Sequence, residues 1–336
     1  MLKIFLHALS VLLIGVCCLV NDIIAQKGYI KNIYLDVGSA GFKDKPLLAA
    51  QAELKQQGYN LIFTKSLKKL KDPYLIVSIQ VRLSNDEALR KYPSKLKVLI
   101  LSEPPAVIPH NYEKKYHTQF GTIYTWRDDL VDNKKYFKHY YYAMRPMIDL
   151  RALYQEKKLC VLMNANKISH HPLELYSERK KTIEFYEKNY NDEFDLYGPK
   201  WDKERYSVYK GCVQNKIDCL SKYKFCMCYE NISDMPGYIT EKIFDCFTAG
   251  CIPIYWGAPN VTNYIPKNCF IDRRDFKNDT EVYNYIKQMP IGLYETYIKN
   301  IKFFLASPQA KIFSADNAVS AFISIIKNAE AAADRQ

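Results

Sequence analysis

Several chemical signatures are missing from this chain, and each absence closes off a class of function. There is no G-x-G-x-x-G turn and no G-x-x-x-x-G-K-[ST] loop, which removes the dinucleotide fingerprint and the P-loop. No G-x-S-x-G elbow and no H-E-x-x-H helix occurs, so the serine-hydrolase and zincin templates are gone. No two Asp residues are separated by a single residue, so the D-x-D metal clamp of many nucleotide-sugar enzymes is absent. C-x-x-C is missing and no His stands at finger spacing from a Cys pair, which argues against a structural zinc site. The neighbouring His170 and His171 have no nameable third ligand and read as a loop feature. With only 12 Gly and 15 Pro, the sequence is neither collagen-like nor of low complexity.

The residues that are present describe a folded protein. A chain of 336 residues that is 48% hydrophobic and 25% charged is not mostly disordered. At about 150 residues per domain it holds roughly two domains. Lys and Arg exceed Asp and Glu to give a net charge of +12. Such an excess suits a polyanion, and composition does not choose among nucleic acid, an anionic membrane and a phosphate-bearing ligand. Of the ten Cys, Cys17 and Cys18 lie in the apolar amino-terminal stretch. Cys226, Cys246 and Cys251 read as buried thiols. Cys212 and Cys219 flank a polar loop and either pair in an oxidising compartment or stay free.

Met1-Leu2-Lys3 precedes an apolar run, Ile4 to Val20. Its length sits at the lower limit for crossing a bilayer of about 30 Å. Residues 1–25 resemble a signal peptide or a short signal anchor, and Ile23 before Ala25 makes a poor cleavage site, which favours the anchor. A cleaved signal and a buried first helix stay open.

After Lys27, apolar strand-like runs alternate with amphipathic stretches. One series comprises 32–37, 60–64, 74–81, 96–101 and 121–126. A second comprises 159–163, 194–197, 224–229, 251–255 and 269–271. Helices are expected over 47–57, 177–189 and 238–249. The alternation predicts an α/β fold with two doubly wound parallel sheets. The expected divisions are a first domain over 28–150, a second over 156–300 and a helical tail over 301–336.

Three places carry candidate chemistry. Glu103 follows a buried strand in Ser102-Glu103-Pro104-Pro105, where a carboxylate on a stiffened loop can act as a general base or simply cap a turn. Arg179, Lys180 and Lys181 open a helix and either invite an anion or form a solvated face. The segment from Lys224 to Phe276 is the richest. Its strand ends at Glu230-Asn231, and a loop with Pro236-Gly237 leads to a helix closed by Gly250. Helical spacing puts Tyr238, Glu241, Lys242 and Asp245 on one face. Lys242 in a first turn opposes the helix dipole unless an anion lies near, and a diphosphate supplies one. An exposed Glu/Lys pair is the other reading.

The run YKFCMCYENISDMPGYITEKIFDCFTAGCIPIYWGAP, from Tyr223 to Pro259, resembles the donor-binding signature of glycosyltransferase family 10, the α-1,3/α-1,4-fucosyltransferases. The likeness continues through NYIPKNCFIDRRDF from Asn263 to Phe276. TWRDDLVDNKKYFK (Thr125 to Lys138) and FDLYGPKWD (Phe194 to Asp202) look like the bacterial branch. The resemblance implies a GT-B architecture, with an acceptor domain and a donor domain facing a cleft. It implies inverting transfer of L-fucose from GDP-fucose to a hydroxyl of an N-acetylglucosamine- or glucose-containing glycan, with no cofactor and no essential metal. By the same resemblance Glu103 is the catalytic base. Asn231, Tyr238, Glu241 and Lys242 match donor-binding positions, with Tyr229 standing where the family has Phe and one extra residue between Asn231 and Tyr238. The family's phosphate-binding Arg is expected near Thr182; Arg179, one turn earlier, is the nearest candidate, with Lys181 behind it.

A membrane partner is expected through residues 4–20, at the Golgi in a eukaryote, or through a basic cytoplasmic surface in a bacterium; nucleic acid is not. The alternatives are a transferase of the same fold using another GDP-sugar or acceptor, and a non-catalytic basic protein that binds polyanions. The sequons at Asn231, Asn260 and Asn278 arise readily by chance.

Overall fold

The computed structural model describes residues 30–37, 45–148 and 154–333. The expected anchor or signal at residues 1–25, with Cys17 and Cys18, lies outside the described residues. The first sheet is built from β1 (Lys31–Asp36), β2 (Tyr59–Thr64), β3 (Pro73–Ile79), β4 (Lys97–Leu101), β5 (Thr122–Thr125) and β6 (Tyr136–Lys138). Its order is β2-β1-β3-β4-β5-β6, and every pairing is parallel. β4 is buried along its whole length, as expected of an apolar run covered on both faces. β6 is an addition to the expected series. Its three half-buried residues give no apolar alternation to read.

The second sheet contains β7 (Lys158–Met163), β8 (Phe194–Tyr197), β9 (Tyr223–Tyr229), β10 (Ile252–Trp256) and β11 (Ile271–Asp272), in the order β11-β10-β9-β7-β8 and again all parallel. The helices that matter here are α1 (Lys45–Gln56), α2 (Tyr176–Asn189), α3 (Glu241–Thr248), α4 (Asp279–Lys287), α5 (Ile291–Leu305) and α6 (Ala315–Ala333).

Helix α3 begins three residues later than its periodicity suggests. Thr240 is extended and its side chain accepts from the Lys242 N–H at 3.4 Å, which makes Thr240 the cap. At the other end Gly250 takes a positive φ of 61°, with bonds from Gly250 N–H to Phe247 O and from Cys251 N–H to Cys246 O. That is a Schellman close, as the glycine predicts.

The tail packs on both domains. The expected boundary at 301 falls inside α5, whose Ile301, Phe304 and Leu305 pack into the second domain's core. Helix α6 then returns to the first domain and buries Phe322, Ile323, Ile326 and Ala329 against Ile33, Leu35 and Leu54. Glu330 on α6 accepts from Tyr74 Oη at 2.6 Å and pairs with Lys31 on β1.

The two domains meet through an apolar cluster of Trp126, Tyr238, Ala106 and Ile232. Trp126 and Tyr238 lie 4.6 Å apart between ring centroids. Asp128 is the polar latch beside them. It accepts from Lys138 Nζ at 2.6 Å in its own domain and from Asn260 Nδ2 and Tyr264 Oη, both at 2.7 Å, in the other. Gly237 sits under this latch with φ +84°, and a Cβ there would meet Trp126 O at 2.3 Å, so backbone fits where a side chain cannot.

Cys212 and Cys219 are both free thiols, the first exposed and the second buried. Among the described residues no helix is long and apolar enough to cross a membrane, and no group of three or more His, Cys, Asp or Glu could hold a metal ion.

Candidate active site

Ligands in open parallel sheets bind beyond the carboxyl ends of the strands. Residues that follow β4, β7 and β9 line one cavity of about 220 Å³, which brings the carboxyl ends of the two sheets together. Glu103 reaches it from the first domain. Asn164, Lys167, Arg179, Asn231, Tyr238, Thr240, Glu241 and Lys242 reach it from the second.

Glu103 stands on a clamped loop. Its carbonyl accepts from Tyr112 Oη at 3.1 Å and from Asn111 Nδ2 at 3.3 Å. The preceding Ser102 donates its N–H to Gln80 Oε1 at 3.2 Å, and its carbonyl accepts from Tyr141 Oη. Gln80 holds a positive φ of 71°, a conformation that costs a non-glycine residue and here aims its amide at this loop. Among the described residues no hydrogen bond reaches the Glu103 carboxylate. Burial raises its pKa above the ordinary carboxylate value, partly offset by the charges of Lys167 and Lys242. A carboxylate left available and made more basic is suited to taking a proton.

On the second domain's side of the cavity the key anion belongs to the protein. Glu230, at the end of β9, is wholly buried. Its carboxylate accepts from the Thr240 N–H at 2.8 Å and from the Thr240 hydroxyl at 2.7 Å. Lys242 Nζ lies 3.1 Å from Glu230 Oε2 and also donates to Thr240 Oγ1 at 2.9 Å. Lys242 in a first turn does signal a nearby anion, but Glu230 already supplies one. Burial opposes the Lys242 charge, and Glu230 with Glu241 outweighs it and raises the pKa. Room for Glu230 comes from Gly257, where a Cβ would stand 2.5 Å from Glu230 Cγ.

Arg179 is buried on α2, and its Nη2 donates to the carbonyls of Tyr229 and Glu230, both at 2.7 Å, and to Asn231 Oδ1 at 3.1 Å. Its Nε has no partner among the described residues. Lys181 is exposed and paired with Glu178 at 2.7 Å, away from the cavity. Thr182 bonds Asp279 at 3.2 Å and is not replaced by a cation in the cavity. Asn231 also donates to Tyr238 Oη at 3.4 Å.

Two expectations need correction. Tyr238 precedes α3 rather than sharing its face, and it is buried against Trp126. Asp245 turns away and pairs with Lys216 at 2.7 Å. Glu241 does face the cavity. Burial works to raise its pKa, yet Lys242 and Lys216 hold it down to about 2.

Glu230, Asn164, Lys167 and Tyr141 escaped the sequence reading as site residues. Asn164 follows an expected strand end, so the crevice rule alone could have named it. Glu230 stood beside Asn231 at another strand end. Lys167 and Tyr141 carry no motif signal.

A family model described as glycosyltransferase family 10 (fucosyltransferase), C-terminal, matches residues 155–300. The chain is 46% identical over 77 residues to an alpha-(1,3)-fucosyltransferase of Helicobacter pylori, a match covering 23% of this chain and 16% of that protein. It is 31% identical over 137 residues to the human 4-galactosyl-N-acetylglucosaminide 3-alpha-L-fucosyltransferase 9, covering 40% of this chain and 34% of the relative. The matched segments thus span only about a sixth to a third of these relatives. Among solved structures, an alpha1,3-fucosyltransferase with GDP-fucose superposes with a TM-score of 0.53 at 19% identity, over 88% of this chain and 90% of that one. An alpha-glucosyltransferase in complex with UDP does so at 0.52 and 12%, over 88% and 99%. These likenesses show the GT-B fold.

Proposed function

We propose, from the match of residues 155–300 to the family model of glycosyltransferase family 10 (fucosyltransferase), C-terminal, that the chain transfers L-fucose from GDP-fucose to a hydroxyl of a glycan acceptor, with inversion. The observation that carries this reading is the pairing in one cavity of a freely available, basic carboxylate, Glu103, with the cations Lys242 and Arg179 facing it from the other domain.

Glu103 takes the proton of the acceptor hydroxyl as the oxygen attacks the anomeric carbon from the face opposite the diphosphate. The C–O bond to the β-phosphate breaks, and fucose passes through an oxocarbenium-like state. Negative charge grows on the leaving GDP. Lys242 and Arg179 meet it, held in place beforehand by Glu230 and by the carbonyls at the end of β9, so that little reorganisation is spent at the moment of reaction. Asn231 and Glu241 hold hydroxyls of the donor, and Tyr238 supports Asn231 from beneath. Two side-chain cations already face the diphosphate, so a chelator is expected to leave turnover unchanged. An acceptor of the N-acetyllactosamine type and an α-1,3 linkage agree with the activity in the human relative's name. Membrane attachment through residues 4–20 belongs to the same reading.

The test is release of GDP from GDP-fucose in the presence of N-acetyllactosamine. Turnover dependent on both supports the reading. No release with this or any other nucleotide sugar overturns it.

A further inference from the structure

A second cavity, of about 500 Å³, opens on the other side of Glu103 within the first domain. It lies where the chain changes direction in the sheet. β1 connects through α1 to β2 on one side, and the chain then crosses to β3 on the other side of β1. That is the switch point of a β2-β1-β3-β4 sheet, the place where such folds open a crevice for a ligand. Val37 after β1, Ile79 at the end of β3 and Ile100 in β4 form its floor, and Leu47 of α1 with Phe322 and Ile325 of α6 form its walls.

The lining defines what can occupy it. Most of the surface is apolar, which suits neither a nucleotide nor a bare sugar. The charged groups within reach are already engaged or of the wrong sign. Arg82 pairs with the buried Asp36 at 3.2 Å. His139 has no partner for Nδ1 among the described residues, and burial, helped by Lys138, pushes its pKa down to about 4, so it is neutral near pH 7. Glu103 is an anion at the shared rim. Among the described residues the only cation lining the cavity is therefore Arg82, already paired with Asp36, and the volume fits an uncharged apolar group.

Resting on the fucosyl-transfer reading, we infer that the acceptor is a glycoside with an apolar aglycone, an alkyl or aryl group that fills the β1/β3 crevice while the attacking hydroxyl lies at Glu103. Glu103 borders both cavities, so one molecule can present a sugar to the donor side and its apolar end to the crevice.

The test compares octyl and methyl glycosides of N-acetyllactosamine, below the micelle concentration, by calorimetric titration of the full chain without donor. The octyl compound is expected to bind about tenfold tighter or more, given the apolar surface it would bury. Ala318→Phe, at the cavity wall on α6, should erase that preference while leaving GDP-fucose affinity unchanged. Phe322→Ala should weaken it. Equal affinity for the two glycosides in the unsubstituted protein, or a preference that survives Ala318→Phe, overturns the inference. The titration needs no turnover, so absence of fucosyl transfer with the octyl preference intact would count against the proposed reaction alone.

Discussion

The ammonium of Lys242 lies 3.1 Å from the wholly buried carboxylate of Glu230, and the two hold Thr240 between them. This pair ties the end of β9 to the start of α3. It also fixes the cation in the direction of the cavity. Removing one partner strands the other charge in a dry environment. Glu230→Ala and Lys242→Ala should each destabilise the fold by about 3–5 kcal/mol. The double substitution Glu230→Ala with Lys242→Ala should cost less than the sum of these singles, because the stranded charge that each single leaves is gone. Urea unfolding of the four proteins checks this. Additive losses would mean that the pair is not coupled.

In the proposed reaction Glu103 sets the acid limb of activity. The deprotonated form is the proposed base, so turnover should be lost as pH falls through its pKa. Burial raises that pKa, so the limb of kcat/KM should lie at higher pH than an ordinary carboxylate gives. Glu241, held at about 2, stays ionised throughout this range. Its lowered pKa contributes stability that is present above the ordinary carboxylate value and is lost as pH falls toward 2. A pH profile of kcat/KM against one of thermal unfolding separates the two groups.

Arg179 contacts two carbonyls and Asn231 through one nitrogen. A lysine offers a point charge in place of that planar fork. Arg179→Lys should lower kcat/KM by about 10²-fold and leave the helical circular dichroism signal unchanged. Activity within about twofold of the original would remove Arg179 from the donor site.

Asp128 joins the domains through Asn260 and Tyr264. Asp128→Ala leaves the half-buried Lys138 without its carboxylate. It should lower stability by about 1–3 kcal/mol and raise KM for both substrates, read by thermal unfolding and steady-state kinetics.

The layout of both sheets was legible because β4, β7, β9 and β10 are apolar runs bounded by turn residues. An anion beside α3 was legible through Lys242, whose place in a first turn demands one; that Glu230 supplies it was not. What escaped depended on contacts distant in sequence. Glu230 and Thr240 are ten residues apart and meet only once α3 folds back on β9. Tyr238 obeys helical spacing, but its burial against Trp126 is set by a residue of the other domain. Helix α6 shows the amphipathic pattern of any surface helix, and nothing in that pattern names the first domain as its partner. β6 was too short and too polar at its edges to stand out.

The most direct test of the account is the substitution Glu103→Gln, which keeps the shape of the side chain and removes the base. Turnover of GDP-fucose with acceptor and the affinity for GDP should be measured on the same preparation. The account predicts that transfer is abolished while GDP binds as before. Transfer at the original rate in the Glu103→Gln protein would contradict it.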